Sequence, residues 1–327
     1  MALDDALTAD EVAALLRVSR NTVYNLVKRD QLASYHVGRK MRFTRADVEN
    51  YIARATTDAA PVGPAPTGAV PADAPMPMPV VSRSPIMPAG ARDHAAFVIA
   101  GNDVIGDVLA NYLGSMGGTV DRRYLDSYAA LTSLYLGEVD AALTHLYDGA
   151  TGSYNVEYVR RLVPGTPVRV VRLAERQQGF IVRRGNPKGI HGWRDLLRPD
   201  VRIINRELGS GSRVLLDEEV RALGADASEQ IAGYANVATS GLSMASYVER
   251  GAADAGVGAE RVARQVEGVD FIPMRREQLD VALALRGPAR AVSETLARLV
   301  RTRALREEVS AITGYDISEM GRVLFER

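Results

Sequence analysis

Apolar positions recur along the chain with different periods, which separates two regions. Near the N-terminus, Val12, Ala13, Leu15 and Leu16 follow helical spacing. They come directly after Thr8-Ala-Asp-Glu11, a capping-box pattern that predicts where a first short helix begins. From Ala95 onward, short apolar runs alternate with helical stretches, which predicts α/β layers with mostly parallel sheets.

Two further helices and a hairpin are predicted in the N-terminal region. Ser19 is placed to cap a second helix that runs to Val27, which makes a helix-turn-helix with the first. The apolar stretches 32–37 and 41–43 flank a basic tip, Gly38-Arg39-Lys40, as expected of a wing. Thr44 then caps a third helix that carries Val48, Tyr51 and Ile52.

The sequence predicts that residues 55–90 form a linker between a small domain, residues 1–54, and a large domain, residues 91–327. The segment holds nine of the fifteen prolines and few charges. Repeated proline removes backbone donors and favours extended backbone, so we expect a semi-rigid spacer. An SH3-type ligand is the alternative interpretation of such a Pro-rich stretch.

The large domain shows its strands as separate apolar runs. The predicted strands are 96–100, 139–143, 168–173, 180–183, 201–205, 254–258 and 271–274, with a helix through Val108 and Leu109 to Leu113. No G-x-G-x-x-G follows a strand and opens a helix, which argues against a Rossmann dinucleotide site.

The overall charge balance conceals a local basic region. Forty Lys plus Arg match forty Asp plus Glu in the 327 residues, yet residues 17–45 contain eight basic residues and one acid, Asp30. Such a patch can neutralise DNA phosphates, and short polar side chains early in the second helix suit base edges. The alternative is a small helical interaction module with a solvated basic face. The predicted DNA-binding residues are Arg20, Asn21, Thr22, Tyr24, Asn25, Lys28, Arg39, Lys40 and Arg42.

Composition excludes several classes of site. The chain contains no cysteine, which excludes disulfides, thiolate metal sites and a cysteine nucleophile, and its four histidines lie far apart. We therefore expect no metal site and no cofactor. The acidic N-terminus is unlike a secretory signal, and no uncharged apolar run could span a bilayer, so we predict a cytoplasmic protein with no membrane partner.

The clearest candidate for ligand chemistry is the strand-to-helix junction Gly209-Ser210-Gly211-Ser212-Arg213. Glycines permit close backbone approach, and amides at a helix N-terminus together with serine hydroxyls favour an oxyanion. Serine capping of a Gly-rich loop is the simpler alternative. A second set of polar residues, Asn102, Ser127 and His145, could supply further contacts. Capping by Asn102 or Ser127 and a purely structural role for His145 are the simpler alternatives.

The N-terminal residues resemble the excisionase-type, MerR-like family of winged helix-turn-helix DNA-binding domains. The match rests on Val18-Ser19, Thr22-Val23-Tyr24, Gly38-Arg39-Lys40 and Arg45-Ala46-Asp47-Val48. The resemblance implies that the second helix enters the major groove and that the wing touches the backbone. Asp30-Gln31-Leu32 stands where the family often has glycine.

The large domain resembles periplasmic-binding-protein-like (type II) domains related to molybdate-binding proteins. The resemblance is carried by 152–155, 178–180, 184–189, 205–206, 209–213 and 253–256. It implies a two-lobed α/β fold, with lobe 1 formed by about 92–180 and 271–327, and lobe 2 by about 181–270. Carried over by position, the ligand-binding residues would be Asn102, Ser127, Thr144, His145, Ser210, Gly211, Ser212 and Arg213. Arg206 would pair with an anion or with Glu207 or Asp217.

Together these features predict a multidomain, one-component transcriptional regulator that is not an enzyme and forms a homo-oligomer. Its partners would be double-stranded DNA and a small effector, with the oxyanions molybdate or tungstate first. The alternatives are an accessory protein or enzyme of molybdenum cofactor metabolism, a regulator that senses an organic metabolite, and an architectural DNA-binding protein whose large domain only dimerises.

Overall fold

A computed structural model describes residues 6–16, 23, 32, 34–37, 40–45, 47–48 and 96–327. The chain divides into two compact units, residues 1–79 and 80–327. The division falls within the predicted linker, whose residues 55–90 lie outside the described ones. The linker and its boundaries therefore stay predictions.

The N-terminal unit is built around three short strands and a capped helix. Its elements are β1 (Ala6–Leu7), α1 (Ala9–Leu16), β2 (Tyr35–Val37) and β3 (Lys40–Thr44). The strand order is β1-β3-β2, and both pairs are antiparallel. The β2–β3 hairpin agrees with the predicted wing, whereas β1 is an additional edge strand that the sequence did not indicate.

Local hydrogen bonds explain where the helices of this unit begin. The Thr8 amide donates to Glu11 Oε2 at 2.7 Å, and the Glu11 amide donates to Thr8 Oγ1 at 3.3 Å. This is the capping box predicted from the sequence. A second box joins Thr44 and Asp47, with amide-to-side-chain distances of 2.9 and 3.1 Å. The enclosed core comprises Ala9, Val12, Ala13, Val23, Leu32, Phe43 and Val48.

The C-terminal unit alternates strands and helices around one large sheet. Its strands are β4 (Phe97–Ala100), β5 (Val120–Arg123), β6 (Ala141–Thr144), β7 (Tyr147–Asp148), β8 (Ser153–Tyr154), β9 (Val168–Arg183), β10 (Asn205–Arg206), β11 (Val237–Ala238), β12 (Ala255–Ala259), β13 (Val269–Ala284) and β14 (Val323–Glu326). Its helices are α2 (Val104–Ser115), α3 (Ser127–Leu136), α4 (Val156–Leu162), α5 (Gly211–Ala222), α6 (Ala227–Gln230), α7 (Gly241–Glu249), α8 (Glu260–Ala263), α9 (Ala289–Leu299) and α10 (Arg303–Ser310), with a 3-10 turn at Trp193–Leu197.

The sheet is mixed rather than mostly parallel, which corrects the expectation from the sequence. Its order is β12-β9-β13-β6-β4-β5, with β14 also paired to β9. Strand β4 is parallel to β5 and β6, but β13, β9, β12 and β14 are all joined by antiparallel pairing. The predicted runs 168–173 and 180–183 are parts of one continuous strand, β9.

The two lobes share the long strands β9 and β13, which pair along most of their length. The ends that pair with β6 and β14 belong to lobe 1, and the ends near β12 belong to lobe 2. The crossover lies near residues 175–178 and 275–278. Phe180 and Phe271, predicted in lobe 1, pack instead in clusters of lobe 2 because both strands continue through the crossover.

Helices cover both faces of the sheet in each lobe. In lobe 1, Phe97 and Ile99 of β4 pack beneath α2, α9 and α10, while Val98 and Ala100 face α3 and α4. In lobe 2, Phe180 of β9 packs with α5, and its neighbour Ile181 packs with α7. This alternation is the period of two expected of a strand buried on both faces.

Candidate functional site

A cleft of about 460 Å³ lies between the lobes and is bounded largely by the starts of helices. The first residues of α2, α5 and α7 line it, together with Asp126 just before α3. The side chains that line it are mainly hydroxyl, amide, carboxylate and guanidinium groups. The residues that bound it include Asn102, Asp103, Asp107, Asp126, His145, Arg176, Gln178, Arg206, Ser210, Ser212, Thr239, Ser240, Gly241, Leu242 and Arg261.

The α5 wall of the cleft has the capped, glycine-rich start that the sequence predicted. Ser210 is the N-cap, and its hydroxyl accepts a hydrogen bond from the Arg213 amide at 3.3 Å. The amides of Gly211 and Ser212 stand in the first turn, where no preceding helical carbonyl can accept from them. Gly209 has φ +85°, a left-handed backbone that glycine adopts without strain.

Gly211 is required by close packing between the lobes. A Cβ at this position would overlap His145 Nδ1 and would lie 2.6 Å from the His145 carbonyl oxygen. Because the second atom is backbone, a side-chain rotation of His145 could not remove the contact. Glycine therefore lets the start of α5 reach lobe 1.

The α7 wall has the same arrangement, a serine N-cap followed by glycine, and the sequence analysis did not identify it. Ser240 caps α7, its hydroxyl accepting from the Ser243 amide at 3.0 Å, and Gly241 opens the helix. The sequence does contain a pattern that indicates this second helix start. Thr239-Ser240-Gly241 follows the short strand β11 much as Gly209–Ser212 follows β10, and β10 and β11 pair in parallel, which places both helix starts at one edge.

The lobe 1 wall instead carries three carboxylates. Asp103 caps α2 by accepting from the Ile105 amide at 2.9 Å, and Asp107 lies in the first turn of the same helix. Asp126 precedes α3 and accepts from Asn102 Nδ2 at 2.9 Å. Arg122 Nε binds Asp107 at 2.9 Å. Each of these carboxylates therefore has a donor partner from the protein itself.

The crossover strands supply a buried ionic group at the cleft. Arg176 of β9 binds Asp103 Oδ2 through Nη1 at 2.5 Å and Glu277 of β13 through Nε. His145 Nδ1 lies 3.2 Å from the other oxygen of Glu277. Burial opposes ionisation of Glu277, but Arg176 and His145 outweigh it and lower its pKa to about 2. Glu277 is therefore a carboxylate at neutral pH.

Several contacts join the two lobes at the rim. Tyr315 of lobe 1 donates its hydroxyl to Asp103 at 2.7 Å and accepts from Arg261 of lobe 2 at 2.5 Å. Burial and the adjacent Asp103 both raise the pKa of Tyr315, so its hydroxyl keeps its proton. On the other side, Arg206 Nη2 lies 3.8 Å from Asp126 Oδ1. Arg206 therefore pairs with Asp126 across the cleft, a partner that the sequence did not indicate.

The structure brings only part of the predicted ligand set to the cleft wall. Asn102, His145, Ser210 and Ser212 line it. Ser127 is 3% exposed, and its hydroxyl accepts from the His145 amide at 3.2 Å. It therefore contacts the backbone beneath the cleft wall and does not line the cleft.

Thr144 and Arg213 have partners of their own. Thr144 Oγ1 is 3.2 Å from Asn155 Oδ1 in a buried group with Asp280. Arg213 Nη1 donates to the Arg206 carbonyl at 3.0 Å and the guanidinium lies over the Tyr234 ring. Both residues were expected to face the ligand, but their side chains are held by neighbouring protein groups.

The predicted DNA-binding residues fall mostly outside the part of the chain that the structure describes. Arg20, Asn21, Thr22, Tyr24, Asn25, Lys28 and Arg39 lie outside the described residues. Lys40 begins β3, and Arg42 of the same strand is partly exposed, with Nη1 donating to the Met41 carbonyl at 3.1 Å. The DNA surface therefore stays a prediction.

Helices in the described part of the chain are too short or too polar to span a bilayer. Within the same residues, no group of three or more His, Asp or Glu side chains is arranged to hold a metal ion.

Comparisons with known proteins match both units. A model described as a PBP superfamily domain matches residues 111–299, and one described as a helix-turn-helix domain matches residues 6–56. The uncharacterized protein YvgK of Bacillus subtilis (strain 168) is 35% identical over 325 residues, which is 98% of this chain and 97% of that protein.

Solved structures share the fold of the C-terminal unit at low identity. A periplasmic candidate metal-binding protein has a TM-score of 0.52 at 11% identity, and the match covers 70% of this chain and 97% of that protein. A tungstate ABC transporter structure from Geobacter sulfurreducens has a TM-score of 0.51 at 14% identity, with 66% and 98% coverage. At such identities the likeness shows the two-lobed fold alone.

Proposed function

The chain belongs to the PBP superfamily and carries a helix-turn-helix domain, and from these two parts we propose a transcriptional regulator that responds to an anion bound between its lobes. The helix-turn-helix domain supports binding to DNA, and the PBP domain supports binding of a small molecule. Regulation requires that the ligand bind more tightly to one of two states of the protein.

The observation that carries the anion assignment is the pair of serine-capped helix starts in lobe 2. The α5 and α7 N-termini both open into the cleft, and neither helix has an acidic residue in its first turn. Free amides and the helix dipole favour a negative group at such a position. Arg206, with a side chain only 15% exposed, adds a cation to the same lobe.

We propose a tetrahedral oxyanion as the first ligand class, with molybdate or tungstate ahead of sulfate and phosphate. The resemblance to molybdate-binding proteins supports that order. An organic anion is the second candidate, because the cleft volume lies within the range of roughly 300–1,000 Å³ typical of sites for small organic ligands. Leu242 and Val262 would supply apolar contacts to such a ligand.

Calorimetry on the full chain with these four oxyanions tests the proposal. A ligand present at a hundredfold its dissociation constant should also add about 2.7 kcal/mol to the free energy of unfolding. Arg206→Gln should weaken anion binding, whereas Arg264→Gln, which alters an exposed arginine of lobe 2, should not. Binding of a neutral metabolite alone, unaffected by Arg206→Gln, would contradict the anion assignment.

DNA binding is tested by its dependence on salt. We expect Arg39→Ala and Lys40→Ala to weaken binding to all sequences and to lower the salt slope by about one unit each, as loss of a phosphate contact does. Changes at Asn21 or Asn25 should alter sequence preference instead. Deletion of residues 1–54 should abolish DNA binding, and unchanged affinity in that variant would refute the assignment.

A further inference from the structure

Gln178 is a buried side chain at the cleft with one hydrogen-bonding atom left over. It lies on β9 at the crossover, is 1% exposed and lines the cleft. Its Nε2 donates to Ser212 Oγ at 2.5 Å, whereas its Oε1 has no partner among the described residues. Buried amide atoms are nearly always paired, so this oxygen needs an explanation.

The Gln178–Ser212 pair can be arranged in two ways. An amide donates through nitrogen and accepts through oxygen, while a hydroxyl does both. In the arrangement described, Gln178 donates to Ser212 and its own oxygen remains free. If the amide turns over, the Ser212 hydroxyl donates to Oε1 and Nε2 becomes the free atom. Either arrangement leaves one amide atom for a partner other than Ser212.

The surroundings of the pair decide which arrangement an anion would favour. Ser212 is in the first turn of α5, whose free amides already favour a negative group. A fully ionised oxyanion offers only acceptors, so a free Gln178 oxygen would repel it and a free Nε2 would bind it.

We propose that Gln178 contacts the ligand and turns its amide to donate Nε2 to a fully ionised, acceptor-only anion. Ser212 then acts as a positioning residue, because its hydroxyl donates to Gln178 Oε1 and supports the amide while Nε2 donates to the anion. This inference rests on the proposed anion-binding function. It makes Gln178 a direct contact of an anion that offers only acceptors.

Calorimetric titration of the full chain with sodium molybdate at pH 7.5 tests the proposal. Gln178→Met keeps the length of the side chain but removes the donor, and we expect binding to weaken roughly tenfold to hundredfold, as for a lost hydrogen bond to a charged group. Gln178→Glu replaces the donor with a carboxylate and should weaken it further. Gln177→Met, on the neighbouring position of β9, is the matched control and should leave binding unchanged.

A double-mutant cycle separates the role of Ser212 from direct contact. Ser212→Ala should weaken molybdate binding about fivefold in the wild type but have little further effect in the Gln178→Met background, because its hydroxyl acts through Gln178. Additive losses would show that Ser212 binds the anion independently and would overturn the positioning role.

Hydrogen phosphate tests whether the side chain at position 178 contacts the anion directly. Its proton can be donated to a carboxylate, so Gln178→Glu should lose less affinity for hydrogen phosphate than for molybdate. Wild-type affinity for molybdate in folded Gln178→Met or Gln178→Glu would overturn this inference alone. If the wild type binds none of molybdate, tungstate, sulfate and phosphate, the proposed oxyanion-binding function fails as well.

Discussion

The two walls of the cleft begin their helices with different caps. In lobe 1, α2 and α3 begin after Asp103 and Asp126. In lobe 2, α5 and α7 begin after Ser210 and Ser240. All four residues are favourable N-caps, so local helix stability does not account for the difference. The difference lies in charge, since the acids neutralise the positive ends of their helices and the serines do not.

Because of this difference in cap charge, we expect the two walls to have different roles in binding. Lobe 2 presents its amides and Arg206 without a competing carboxylate in the first turns of α5 and α7. Lobe 1 supplies the groups that contact lobe 2 across the cleft, namely Tyr315, Asp126 and His145. We expect an anion to bind lobe 2 first and lobe 1 to close over it.

The largest expected effect is on closure, at the point where Gly211 meets His145. Gly211→Ala should weaken molybdate binding by more than a hundredfold, because even one added carbon collides with both the ring and the carbonyl of His145. Calorimetry measures the loss. Gly114→Ala is the matched control, since a Cβ there meets no atom within 4 Å apart from its own stretch of helix. Normal binding by folded Gly211→Ala would show that closure does not need this contact.

Changing a serine cap to an acid should remove the difference between the walls. Ser240→Asp keeps a good N-cap but places a carboxylate at the α7 N-terminus, and we expect anion binding to weaken about a hundredfold with little change in stability. Ser240→Thr keeps a neutral hydroxyl and serves as control. Equal binding by the two variants would mean that the α7 start does not contact the ligand.

Glu277 should make the stability of the crossover depend on pH. A carboxylate with a lowered pKa stabilises the fold above its unfolded value near 4.5, and this contribution is lost as pH falls toward 2. The loss amounts to roughly 3 kcal/mol by the size of the shift. The difference in free energy of unfolding between wild type and Glu277→Gln should therefore shrink between pH 4.5 and 2. A constant difference would contradict the assigned charge state.

Local patterns predicted the features that neighbouring residues determine. The Thr8–Glu11 box and the Ser210 cap each join residues three apart, so the sequence alone contains the whole interaction. The same holds for the helix start at α5. The polarity of these caps was therefore predictable, and with it the α5 wall of the cleft.

The remaining features depend on contacts between distant segments. Arg176, Gln178 and Glu277 lie in the middle of long strands, and only the β9–β13 register, which sets Arg176 opposite Glu277, brings them together beside the cleft. Tyr315 reaches Asp103 from more than two hundred residues away. Thr144 shows the converse case, since the family resemblance implied a ligand contact whereas its hydroxyl lies beside Asn155 in a buried group with Asp280.

The smallest expected effect tests whether the acidic wall opposes the ligand. Asp126→Asn removes a charge 3.8 Å from Arg206, and because the Asp126 side chain makes no cap hydrogen bond to α3, the helix should lose little. We expect molybdate to bind about threefold to tenfold more tightly at low salt, and less so near 0.15 M salt, where the Debye length is about 8 Å. Asp121→Asn, an exposed residue of the same lobe, should change nothing. Weaker binding in Asp126→Asn would show instead that Asp126 positions Arg206 for the anion, so that both walls act together on the ligand.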